Sequence, residues 1–283
     1  MRKSWSEQIG FLMLSLAGIL VLLILGLILL DIITKGASVL SWEFLTQAPR
    51  KGMTEGGIFP AILGTFVVSL ITVIFAVPLG MFAAIYLHEY AQPGKISRVI
   101  RLSIRNLSGV PSIVYGLFGV ALFVQMLKFG TSILSAGLTL GLLTLPWTIT
   151  ACEEAFKTVP QSYREGALAL GATKWYAIRT NVLPYAVPGM LTGVILGLSR
   201  SAGETAPILF TGAAFFLPHL PKSLFDQFMA LPYHLYILAT QHQAIEKVRP
   251  IAYGTALVLL GLIFLLNMSA VWIRYRYRQR MRG

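Results

Sequence analysis

The stretch "REGALALGATKW", Arg164–Trp175, sets Gly166 and Gly171 five residues apart, with Thr173 two further on. Phosphate-cradling loops of nucleotide hydrolases read G-x-x-x-x-G-K-[ST], after a strand and before a helix. Here Ala172 stands where the lysine belongs, and no strand pattern precedes the stretch. The glycines therefore read as helix punctuation. Ser162 and Glu165 have the spacing of a capping box, which predicts a short helix from Tyr163. Gly171 suits the position just past its end, where a left-handed backbone suits glycine. Thr173 is placed to cap a second short helix ending before Pro184.

The composition around this stretch is that of a membrane protein. Of 283 residues, 56% are hydrophobic and only 12% charged, about half the ~25% charged of a soluble domain. Mean hydropathy is +0.73. Net charge is +12, but the basic residues fall in short clusters between apolar runs. That pattern marks topology and excludes a nucleic-acid partner. The single cysteine, Cys152, allows no internal disulfide and reads as a buried small hydrophobe.

Runs of ~20 apolar residues predict an all-α polytopic fold with six transmembrane helices. They cover about 9–30, 58–87, 107–128, 132–152, 183–206 and 251–273 of a single permease domain. The first run is too long for a signal peptide and reads as a retained span. Six spans put both termini on one side. With that side taken to hold the termini, 95–105 and 153–182, it carries fifteen basic residues against seven on the other. The excess of Lys and Arg predicts that both termini are cytoplasmic. The segment 153–182 is then a cytoplasmic loop and 207–250 is extracytoplasmic. Gly189, Gly193, Gly197 and Ser201 recur every fourth residue in span five, a small-residue stripe suited to close helix packing.

"EGALALGATKWYAIRTNVLP", Glu165–Pro184, resembles the EAA loop of ABC-importer permeases. Glu165, Ala167 and Gly171 match that pattern, as does the Leu183-Pro184 end. Gly166 replaces the usual alanine and Asn181 the usual isoleucine. Two further stretches, "NLSGVPSIVYGLFG" at Asn106–Gly119 and "GLSRSAGETAPILFTG" at Gly197–Gly212, are similar to the permease subunit of phosphate ABC importers, PstA type. The resemblance runs from span two to the C-terminus. It implies a type I importer permease with a coupling helix between spans four and five, in a bacterial inner membrane. The implied partners are a PstC-type permease subunit, two ATP-binding cassette ATPase subunits and an extracytoplasmic phosphate-binding protein. It also implies that ATP is hydrolysed by the partners, so no cofactor and no enzyme activity are expected here. Glu165, Gly166, Ala167, Gly171 and Ala172 are the expected ATPase-coupling residues.

Arg200 and Glu204 are ionisable groups within span five, four residues apart on one predicted helix face. Such groups are costly in a span and face a partner or an aqueous path. They are expected to form either a structural pair or part of a translocation path, in which a guanidinium suits an oxyanion. Counted from Pro184, Arg200 is expected ~24 Å along the helix, in the outer half of the membrane. Ser112 and Tyr115 of span three are candidates for the same path. His88, His219, His234 and His242 lack metal-ligand spacing, so no metal site is expected. Two rivals differ in what they require. A permease for sulfate or molybdate would keep the same architecture. An ion-gradient-driven transporter would call for acidic residues or broken helices at the midplane.

Overall fold

The computed structural model describes residues 5–217 and 219–280. Arg2, Lys3 and Arg282, counted above as cytoplasmic, lie outside the described residues. Long apolar runs become helices because hydrocarbon offers no partner for free backbone N–H and C=O groups. The chain runs through α1 (Trp5–Ala37), α2 (Trp42–Thr46), α3 (Phe59–Ile85), α4 (Lys95–Leu107), α5 (Ser112–Gly119) and α6 (Ile133–Lys157). It continues through α7 (Ser162–Ala169), α8 (Lys174–Ala177), α9 (Leu183–Ala202), α10 (Ala206–Thr211), α11 (Leu231–Thr240) and α12 (Ile245–Arg280). π-helical turns prolong α3 over Tyr86–Tyr90 and α5 over Val120–Met126, and one joins α8 to α9 over Ile178–Val182. A two-residue antiparallel pair, Pro49–Arg50 with Glu55–Gly56, and one isolated bridge are the only β-structure among the described residues.

Five helices are long and apolar enough to cross a membrane: Ile9–Ala37, Phe59–Tyr90, Ile133–Lys157, Lys174–Ala202 and Ile245–Tyr277. The third expected span, 107–128, is helical beyond Leu107 only over Ser112–Met126, and α4 before it fills the segment expected as a loop. α4 and α5 meet at 102° across Ser108–Pro111, and only as a bent pair do they make a sixth crossing. Pro111 explains the break: it has no N–H to donate, and its ring pushes the preceding residue out of helical backbone. The Tyr115 hydroxyl donates to the Leu107 carbonyl at 3.0 Å and ties the corner from inside.

The core is built by α3, α6 and α9. The small-residue stripe of span five lies on α6, with Gly189 over Ala155, Gly193 over Ala151 and Gly197 over Thr148. A Cβ at Gly193 would fall 2.0 Å from the Ala151 Cβ, whereas one at Gly197 would meet only the Thr148 hydroxyl at 3.8 Å. Gly193→Leu should therefore force α9 off α6 and destabilise the protein by more than the ~1–3 kcal/mol typical of overpacking. Gly197→Ala should be tolerated. The thermal midpoints of the two purified variants check this, and equal midpoints would remove the close approach from the account.

On the opposite end from the α6–α7 loop, the segment after α10 folds back onto the bundle instead of forming an open loop. Phe228, Met229, Leu231 and Leu238 are fully buried. Its carbonyls satisfy the start of α6: Ile133 N–H donates to Asp226 and Leu134 N–H to Leu224, at 3.0 and 2.9 Å. These are donors that a helix cannot satisfy internally. Burial, with His242 adding to it, pushes the His234 imidazole on α11 down to about 4. It is a neutral core residue.

Candidate functional site

The loop 153–182 forms the expected helix–glycine–helix element, by partly different means. The capping box is absent. Gln161 takes the cap position without a side-chain bond, and Ser162 is already the first helical residue of α7. The turn starts earlier because Pro160 and Gln161 carbonyls receive the Tyr163, Arg164 and Glu165 N–H groups. The end of α7 is as expected. Gly171 has φ +81°, its N–H donates to Leu168, and the Ala172 N–H donates to Ala167. Those two bonds make a complete Schellman stop. Thr173 caps α8, accepting from the Tyr176 N–H at 3.3 Å.

The second helix does not end before Pro184. It passes through the π-turn at Ile178–Val182 straight into α9, giving one helix from Lys174 to Ala202. The proline is accommodated because it follows directly on the π-turn, where the regular i→i−4 ladder is already interrupted. The loop's free face carries Glu165, Gly166 and Leu168, and Leu170 is 90% exposed. Ala167 is buried beneath it. A concavity of about 600 Å³ opens beside this face, lined by Ala167, Leu170, Gly171, Ala172 and Tyr176 among others. Leu170 was not singled out by the sequence. Its signal is an apolar side chain at a helix stop in a polar loop.

Within the bundle, Arg200 Nε lies 3.5 Å from Glu204, and the two are not on one helix face. α9 ends at Ala202 with Gly203 as its cap, and Glu204 belongs to the break before α10. Arg200 also sits 5.4 Å over the ring of Trp147, near the middle of the 25-residue α6. Gly189 is level with Ala155 near the end of α6 that leads into α7, so Pro184 lies ~7 Å beyond Ala155. Arg200 is consequently level with the middle of α6. The arginine side chain is 48% exposed and the glutamate 17%.

Of the span-three candidates, Tyr115 is committed to the α4–α5 corner and Ser112 opens α5 beside it, half-buried. The break in span five instead meets span three at Gly116, against Pro207 and Phe210 of α10. Trp147 is the residue the sequence reading missed. It stands five residues inside the end of the apolar run 132–152, where an indole reads as an interface anchor. Among the described residues no cluster of His, Cys, Asp and Glu could hold a metal ion.

Residues 76–283 match the family described as the inner membrane component of binding-protein-dependent transport systems. A probable ABC transporter permease of Bacillus subtilis is similar at 33% identity, over 86% of each chain. A phosphate transport system permease protein PstA 1 of Mycobacterium tuberculosis is 35% identical, over 85% of this chain and 77% of its own. Among solved structures, a bacterial ABC transporter that imports the acidic polysaccharide alginate has the same fold. It shares a TM-score of 0.69 and 13% identity, over 96% of each chain.

Proposed function

This chain belongs to the inner membrane components of binding-protein-dependent transport systems, and from that premise we propose that it is a transmembrane permease subunit of an ATP-driven phosphate importer. The similarity to phosphate permeases over most of the chain carries the substrate. In this reading the loop 153–182 docks on a partner ATPase through Glu165, Gly166, Ala167, Gly171 and Ala172, with Leu170 as its apolar anchor. Exposed apolar residues on a polar loop fit a partner's groove. The remaining partners are a PstC-type permease subunit and an extracytoplasmic phosphate-binding protein. Both termini face the cytoplasm of a bacterial inner membrane, as the basic-residue asymmetry requires.

Arg200 lines the translocation path. Its contact with Glu204 is loose, at 3.5 Å, which leaves the guanidinium able to take an oxyanion, and Trp147 stacks under it. Ser112 and Tyr115 act in span three by shaping the corner from which the path opens. The ion-gradient rival does find its broken helix, at Gly203. Membership of a binding-protein-dependent family argues against it nonetheless.

The assembled complex in vesicles tests the whole reading. Phosphate should accumulate only with ATP enclosed and binding protein outside, which also fixes the orientation. Uptake driven by an ion gradient without ATP would overturn it. Sulfate or molybdate uptake in place of phosphate would reassign the cargo.

A further inference from the structure

The end of span two beside the coupling loop is a junction. α3 widens there into the π-turn Tyr86–Tyr90. A helix end leaves carbonyls unpaired and carries partial negative charge, so it attracts cations. Three arrive from three other elements. Arg101 of α4 donates to the Leu87 carbonyl and pairs with Glu153 of α6. Lys174 of α8 donates to the Glu89 carbonyl and lies 4.8 Å over the Tyr90 ring.

The third is Arg164 of α7. Its Nε and Nη2 both donate to one carboxylate oxygen of Glu89, at 2.9 and 2.7 Å. Nη1 and Nη2 also donate to the Val159 and Phe156 carbonyls, at 3.0 and 3.2 Å, where α6 ends. The Glu89 side chain is only 6% exposed and that of Arg164 20%. His88 stacks on Phe156 at 5.9 Å and closes one side. Solvent screens such a pair weakly, and separating it would strand a buried carboxylate. α7 cannot swing without carrying the end of span two along.

The attachment of α7 to span five is of another kind. α8 continues into α9 as one helix, while α7 itself reaches that region through a 3.5 Å Asn181–Tyr163 hydrogen bond and the Tyr163–Tyr185 ring pair. We propose that the Glu89–Arg164 pair is the link through which motion of the coupling loop is imposed on span two, so that spans two and five move together when the ATPases close. The proposal rests on reading 153–182 as the ATPase-docking segment. Glu89 and Arg164 are positioning residues in it. Without the link, span five still follows the ATPases while span two is tied to the loop mainly by the exposed Lys174 contact, so ATP is spent with little passage of phosphate.

The test compares ATP hydrolysed with phosphate imported by the complete complex in vesicles, for the parental protein, Glu89→Gln and Arg164→Lys. Glu89→Gln keeps the volume and an acceptor but loses the charge. It should retain the ATPase subunits and hydrolyse ATP within about 2-fold of the parent, while phosphate imported per ATP falls about 10-fold or more. Arg164→Lys, which keeps charge but not the fork, should lie between. An unchanged ratio in Glu89→Gln overturns the proposal. So does joint loss of ATP turnover, subunit binding and import, which would mean that the pair merely folds α7. Should Glu89→Gln fail to assemble, the ratio in Arg164→Lys decides by the same criteria. A parental complex that couples no uptake to ATP would instead sink the docking reading, and the link with it.

Discussion

Valine at Gly171 should abolish phosphate uptake, by about 100-fold or more, while the protein still inserts in the membrane. The backbone there has φ +81°, a region costing a side chain ~1–2 kcal/mol and a β-branched one more. Nothing lies within 4 Å of a Cβ built at this position, so the effect is conformational and not a clash. Relaxing φ breaks the Schellman bonds from Gly171 and Ala172 and turns Leu170 away from the concavity it borders. Gly166→Ala is the control. It too has open space around a built Cβ, but it sits in ordinary helical backbone, and uptake should survive. Glu165→Lys reverses the charge on the exposed face and should remove stimulation of the ATPase by the binding protein. Uptake and ATPase activity in reconstituted vesicles check all three. Full transport in Gly171→Val would make the loop an ordinary connector.

The second large effect is at Arg200. Arg200→Gln should reduce uptake about 100-fold with assembly intact, and Arg200→Lys about 10-fold, because an ammonium cannot present the planar fork. Glu204→Gln is the discriminating variant. A half-exposed pair at 3.5 Å is worth ~0–1 kcal/mol. If the pair is only structural, removing either partner costs the same small amount. If Arg200 meets the anion, Glu204→Gln should cost no more than a few-fold while Arg200→Gln loses nearly all uptake. Exchanging the two residues would discriminate poorly, since it sets a carboxylate over the electron-rich face of Trp147. Uptake, expression and complex assembly measured side by side settle the matter. Near-parental uptake by Arg200→Gln would confine the pair to a structural role.

The sequence by itself determined what depends on local chemistry. Apolar runs of spanning length became helices, since hydrocarbon permits little else. Gly171 stopped α7 because no other residue takes that backbone freely, and Thr173 capped α8 through its own hydroxyl. The family was legible in the loop's spacing. Tertiary structure decided whatever depends on residues far apart in the chain. Pro111 marks a break, but that it turns α4 by 102° follows from how α5 packs and from the Tyr115 bond. The level of Arg200 along α6 could not be read from Pro184, because span five starts below the end of α6, an offset set by Gly189 and Gly193 seating on Ala155 and Ala151. The capping box formed no cap, because Pro160 had already opened the turn. Glu89 and Arg164 are 75 residues apart. No periodicity joins them, and only folding turns two unremarkable charges into a buried pair.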